Sequence, residues 1–245
     1  MILSRIINPL YRIISKYSAF TFRKSNIWST VKGNISTEID SLVNYSNRNL
    51  TDISSHLPTI VYEVMIEKPK LIVELGVRGG ESTQAFITAS RLVGSRLLSV
   101  DIDDCSHVIS DPDWLFHKGD DIIFAKQFKL YAKKNKIPSE IDILFIDTSH
   151  TYDHTLEEMK FWFPYLSKTA KVIFHDTHSP KIVKIRDGSL YPKINQSSQR
   201  DVIAAIETFF NLKIDESKPF VYSNKKWLFK HDPFSFGLTI LKRLQ

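Results

Sequence analysis

The feature that most constrains this chain is a series of short apolar runs alternating with stretches of helical periodicity. The runs Leu71-Ile-Val-Glu-Leu-Gly76, Arg96-Leu-Leu-Ser-Val-Asp101, Ile141-Asp-Ile-Leu-Phe-Ile-Asp147 and Lys171-Val-Ile-Phe-His-Asp176 have the length and residue types of buried strands. Between and after them, residues 60–66, 81–92, 121–134, 155–166 and 200–210 read as helices, with Phe124, Phe128 and Tyr131 on one face of the third. Parallel strands need long crossovers, which helices usually supply, so the alternation predicts a doubly wound α/β fold, mostly parallel, with helices on both faces. The end of the chain differs. Lys226-Trp-Leu-Phe-Lys230 and Phe236-Gly-Leu-Thr-Ile-Leu241 flank the turn-rich His231-Asp-Pro-Phe-Ser235 and predict a closing antiparallel hairpin.

Residues 1–50 lack a strand signal and read as an N-terminal extension to a domain spanning 51–245. Within the extension, Ile2, Leu3, Ile6, Ile7, Leu10, Ile13, Ile14 and Tyr17 recur at helical spacing, with Arg5, Arg12 and Lys16 on other faces. This amphipathic helix is expected to cover the core or a partner subunit; the alternative is peripheral membrane contact through residues 1–20. A homo-oligomer is compatible with either. No run approaches the length of a membrane span, and no signal peptide is evident. Cys105 is the only cysteine, which points to a reducing compartment and a cytoplasmic location, with the inner membrane face as the peripheral variant. The net charge of +6 is spread along the chain without a basic block, so no nucleic-acid partner is expected.

In open parallel sheets, ligands bind beyond the carboxyl ends of the strands. One such end is Glu74-Leu-Gly-Val-Arg-Gly-Gly-Glu-Ser-Thr83. There Gly76, Gly79 and Gly80 let the backbone approach a ligand, and Ser82 or Thr83 caps the helix or touches that ligand. Asp101 ends the next run, where a carboxylate can accept both ribose hydroxyls. The register Gly76-x-x-Gly79-Gly80 is not the G-x-G-x-x-G of pyrophosphate binding, which argues against a nicotinamide or flavin dinucleotide.

The run Ile72-Val-Glu-Leu-Gly-Val-Arg-Gly-Gly-Glu-Ser-Thr83 with Ser99-Val-Asp101 resembles the cofactor motifs of class I methyltransferases. The later set Asp142-Ile-Leu-Phe-Ile-Asp-Thr-Ser-His150, Tyr152, Trp162-Phe-Pro-Tyr-Leu166 and Val172-Ile-Phe-His-Asp176 is similar to the subgroup of cephalosporin-hydroxylase-like proteins and macrolide or rhamnosyl O-methyltransferases. The resemblance implies a Rossmann-like, seven-stranded sheet and S-adenosylmethionine as cofactor. It also implies that Glu74 and Gly76 line the methionine and ribose portion, that Asp101 holds the ribose, and that Gly119-Asp120 flanks the adenine. Two plainer roles compete: Glu74 as a buried strand carboxylate satisfied by backbone donors, and Asp120 as a helix N-cap.

Asp147 and Asp176 close two successive strands, so both carboxylates are expected at the cofactor edge. His150, His175 and His178 add imidazoles to a set suited to a divalent cation. Carboxylates and water favour magnesium, whereas added imidazoles shift the preference toward manganese, iron or zinc. Asp147, Asp176 and His175 are the candidate ligands. Because adjacent strand residues point to opposite faces, His175 has the alternative of pointing into the sheet. His150, with Asp147, is the catalytic candidate, the imidazole taking the proton of an acceptor hydroxyl. Asp153, His154, Glu157 and Glu158 read as surface groups at a helix start. Residues 179–199, with Lys181, Lys184, Arg186, Tyr191 and Lys193, form a basic insertion that suits either a lid over the acceptor or a surface loop.

The expected activity is methyl transfer to a hydroxyl of a sugar, glycoconjugate or secondary metabolite, with a small molecule or glycan as acceptor. Its alternatives are a metal-dependent hydroxylase or oxidoreductase, and a non-catalytic membrane-associated assembly protein of the same fold.

Overall fold

The computed structural model describes residues 37–49, 51–178, 182–184, 190–192 and 200–244. The amphipathic segment at residues 1–20 lies outside them, as does most of the basic insertion. Among the described residues no helix is long and apolar enough to cross a membrane.

The elements run α1 (Thr37–Arg48), α2 (Leu57–Glu67), β1 (Leu71–Leu75), α3 (Glu81–Val93), β2 (Arg96–Asp101), β3 (Trp114–Lys118), α4 (Asp121–Ala125), α5 (Phe128–Asn135), β4 (Ile141–Ile146) and α6 (Tyr152–Trp162). They continue with β5 (Leu166–His175), β6 (Ile182–Lys184), β7 (Leu190–Pro192), α7 (Asp201–Phe210), β8 (Phe220–Ser223), β9 (Trp227–Asp232) and β10 (Leu238–Arg243). Eight strands form one sheet in the order β3-β2-β1-β4-β5-β10-β9-β8, while β6 and β7 pair separately. Strands β1 to β5 are parallel. The hairpin β9–β10 docks its second strand antiparallel on β5, and β8 adds an edge antiparallel to β9.

Every residue of β1 is buried, because helices cover both faces. Its alternation sorts the core into two layers. Leu71, Val73 and Leu75 pack with Phe124, Phe128, Trp162 and Ile206 of α4 to α7. Ile72 faces the other way, among Ile39, Leu42, Leu57, Ile60 and Phe86 of α1 to α3. The chain reverses its direction of strand addition between β1 and β4, opening the crevice in which open α/β sheets bind ligands.

The doubly wound sheet is as expected, with eight strands in place of seven. The eighth, β8, has Val221 and Tyr222 exposed and no apolar alternation to announce it. Edge strand β3 is half-buried, and its apolar run, Trp114-Leu-Phe116, is only three residues long. The expected helix over 121–134 breaks after Ala125, and α4 and α5 each direct one phenylalanine, Phe124 and Phe128, into the same core. Strand β5 starts at Leu166, before the expected 171, because two exposed residues interrupt its apolar pattern where the register with β4 shifts.

Candidate active site

The carboxyl ends of β1, β2 and β4 surround a cavity of about 360 Å³ whose wall includes Gly76, Asp101, Gly119, Asp120, Asp147 and His150. Gly76, at φ +90°, turns the chain out of β1, and a Cβ there would stand 2.0 Å from the carbonyl oxygen of Asp147. Only glycine permits this approach of two strand ends. Gly80, at φ +79°, starts α3.

Asp101 ties the glycine turn to β2. Its Oδ2 accepts from the backbone N–H of Val77 at 2.7 Å and of Arg78 at 3.0 Å, and Oδ1 accepts from Asp103 N–H at 2.9 Å. Asp101 also lies on the wall of the cavity. Asp120 caps α4, its Oδ1 accepting from Ile123 N–H at 2.8 Å, and it also lines the cavity.

Glu74 and Ser82 are placed elsewhere. Glu74 is fully buried, with Oε1 accepting from the Ser82 hydroxyl at 2.6 Å and Oε2 from Thr83 at 2.8 Å and Ser99 at 2.6 Å. Burial pushes its carboxyl up to about 7 against the pull of these three hydroxyls. Neither residue lines the cavity; together they lock β1, β2 and α3 beneath the turn. The donors are hydroxyls, not the backbone groups of the plainer sequence reading. Gly80 also lies off this cavity, on a larger one of about 550 Å³ between α1 and α3 that contains none of the clustered carboxylate–histidine groups.

The second half of the site lies where β4 and β5 end. His150, in the left-handed region at φ +54°, bridges two carboxylates: Nε2 meets Asp147 Oδ1 at 2.8 Å and Nδ1 meets Asp176 Oδ2 at 3.0 Å. His175 points its Nδ1 at the same Asp147 oxygen from 3.1 Å and is buried. Adjacent residues reach one point because β5 stops at His175 and Asp176 turns left-handed, at φ +53°, which swings its carboxylate back. Such conformations cost roughly 1–3 kcal/mol each and concentrate at functional sites.

The electrostatics follow from this packing. Burial works to raise the Asp147 carboxyl, but the charge of His175 and the His150 hydrogen bond hold it well below the usual carboxylate range. Burial works to lower His175, yet Asp147 and Asp176 push it up to about 9. His150 is raised for similar reasons, and burial raises Asp176 despite the two imidazoles. Behind His175 stands His56, which no sequence motif singles out. Its ring packs edge-on at 5.7 Å, its Nε2 lies 3.1 Å from Phe234 O, and burial lowers it to about 3, so it stays neutral.

Asp147, His175 and Asp176 each offer one ligand atom, all within 4.8 Å of one another. Asp176 Oδ1 is buried without a hydrogen-bond partner. Two carboxylates and an imidazole beside this cavity are a fitting donor set for a divalent cation.

Residues 73–177 match the sequence model of a family described as a methyltransferase domain. Rhamnosyl O-methyltransferases of Mycobacterium tuberculosis (strain ATCC 25618 / H37Rv) and Mycobacterium bovis (strain ATCC BAA-935 / AF2122/97) are 27% identical over 122 residues, 47% of this chain and 49% of theirs. The chain thus spans about half the length of these curated relatives. Among solved structures, the SAH-bound Podospora anserina methyltransferase PaMTH1 superposes with a TM-score of 0.57 at 11% identity, over 95% of this chain and 96% of that one. MycE methyltransferase from the mycinamycin biosynthetic pathway, in complex with Mg and SAH, superposes with a TM-score of 0.52 at 15% identity, over 82% of this chain and 54% of that one. Across residues 73–177, therefore, this chain matches a methyltransferase-domain sequence model, and its fold is the one these solved methyltransferases share.

Proposed function

We propose that this protein is an O-methyltransferase that moves the methyl group of S-adenosylmethionine to a hydroxyl of a sugar, glycoconjugate or secondary metabolite, with a divalent cation at the acceptor site. The observation that carries this reading is the meeting of Asp147, His150, His175 and Asp176, of which Asp147 and His150 line the cavity that the glycine turn and Asp101 close from the other side. Rhamnosyl O-methyltransferases as relatives, and MycE with its Mg, support the acceptor class and the cation.

In this reading Asp101 and Gly76 seat the ribose and methionine portion, and Asp120 faces the adenine. Asp147, Asp176 and His175 would hold the cation, whose chemistry there would be to acidify and orient the acceptor hydroxyl. Magnesium suits the two carboxylates; His175 makes manganese, iron or zinc competitive. His150 stands between the carboxylates, within reach of both, and takes the hydroxyl proton as the oxygen attacks the methyl carbon. The remaining contribution is alignment of the acceptor oxygen with the methyl–sulfur bond. Glu74 and Ser82 act from beneath by holding the turn.

The test is calorimetry with S-adenosylmethionine alongside a mass-spectrometric assay for methyl gain in sugar and metabolite acceptors. Asp101→Ala should abolish cofactor binding. Asp147→Ala and His150→Ala should bind cofactor within a few-fold of the wild type and lose turnover by at least about 100-fold, the scale of general base catalysis. Normal S-adenosylmethionine binding by Asp101→Ala would sink the assignment.

A further inference from the structure

We propose that Asp121, His154 and Glu158 form a second divalent-metal site, separate from the Asp147 cluster, that takes a first-row transition ion such as zinc. His154 and Glu158 are four residues apart on α6 and so share one face. Asp121, the first residue of α4, comes to meet them. His154 Nε2 lies 3.0 Å from Asp121 Oδ1 and 3.8 Å from Glu158 Oε1. The three groups each offer a ligand atom within 4.8 Å of the other two. Ligands bound to one zinc at roughly 2.0–2.2 Å stand a little over 3 Å from each other, so side-chain adjustment alone brings these groups to coordination distance.

A plain ion-pair network accounts for less of the geometry. The imidazole reaches Asp121 but stands beyond hydrogen-bond distance from Glu158. Glu158 has no exposed surface, and its Oε2 is buried without a hydrogen-bond partner; Asp121 Oδ2 is in the same state. Two buried carboxylate oxygens lacking a donor are costly. One cation at the focus of the cluster would engage both carboxylates together. Glu158 is also steadied from outside, its Oε1 accepting from the Thr148 hydroxyl at 2.7 Å, as metal-ligating carboxylates commonly are. Asp121 and His154 both line the 360 Å³ cavity, which gives the ion an entry path and room for water as a further ligand. One imidazole with two carboxylates admits zinc, iron or manganese, as His175 does at the acceptor cluster.

The experiment uses the full chain, stripped with a chelator and titrated with zinc against a chromophoric competitor. Asp147→Asn/Asp176→Asn removes the acceptor-side carboxylates, and His154→Asn is then added. The double variant should bind one equivalent of zinc. Adding His154→Asn should weaken it by more than the roughly 10–100-fold that loss of an outer-shell partner causes. No zinc binding in the folded double variant overturns the proposal, as does equal affinity after His154→Asn. If circular dichroism shows the double variant unfolded, His154→Asn is compared with the wild type. Loss of one equivalent supports the site and unchanged stoichiometry overturns it. Because the count concerns one lost equivalent, it holds whether or not the acceptor cluster binds metal.

Discussion

Asp120 caps α4 and lies on the wall of the 360 Å³ cavity, so its observed role as a cap leaves room for the proposed contact with adenine. The two roles separate by substitution. Asp120→Ser keeps a cap oxygen and should melt within a degree or two of the wild type, while Asp120→Ala should lose about 1 kcal/mol. If the carboxylate also meets the adenine, both variants weaken S-adenosylmethionine binding in calorimetry; unchanged affinity in Asp120→Ser would leave only the cap. Asp147, His150, His175 and Asp176 were legible as a group because each lies at or just past the end of an apolar run. Their joint orientation was not, since it depends on left-handed turns at His150 and Asp176 that no residue type announces. His154 and Glu158 were read as surface groups for a related reason. Their helix was visible, but the face it turns to Asp121, 33 residues earlier for His154, is set by packing alone.

Among the elements, the strands that carry ligands were the easiest to read, because burial on both faces demands continuous apolar runs. Edge strands β3 and β8 pack one face or less and have no such signature. The break between α4 and α5 was hidden because Lys126 and Gln127 keep right-handed dihedrals and Phe124 and Phe128 keep helical spacing, while the hydrogen-bond ladder changes, Gln127 N–H donating to Phe124 O three residues back at 2.8 Å. Both rings meet Trp162 of α6, at 6.1 and 5.5 Å between centroids. This aromatic group fixes α4 against α6 and thereby places Asp121 beside His154. Phe128→Ala should cost about 3–5 kcal/mol in chemical denaturation. A cost near that of an exposed position such as Leu130→Ala would show that the aromatic group does not hold these helices.

For the molecule as a whole, the buried acids make stability depend on pH with a definite sign. Glu74 titrates near 7 in the folded chain against an ordinary 4.5, raised first of all by burial. The folded state therefore keeps a proton that the unfolded chain releases. This stability is fully present below about pH 4.5 and is lost as pH rises through 7. Asp147 acts in the opposite sense, since its lowered carboxyl contributes above its ordinary range and fails in acid. Denaturation midpoints should fall between pH 5 and 8, and Glu74→Gln should flatten part of that decline. Equal slopes in the two proteins would mean that Glu74 does not titrate there.

The close approach of Gly76 to the Asp147 carbonyl gives the two half-sites a common mechanical joint. Backbone Asp147 N–H also donates to Leu75 O at 2.9 Å, so the last peptide of β1 and the first after β4 move as one piece. A ligand that displaces the glycine turn must carry the base of the carboxylate cluster with it. Drift in sequence is coupled in the same way: a side chain gained at 76 can be accommodated only by rebuilding the loop that bears Asp147. Directed-evolution libraries aimed at new acceptors should therefore leave residues 75–76 and 147 untouched and diversify the acceptor wall elsewhere.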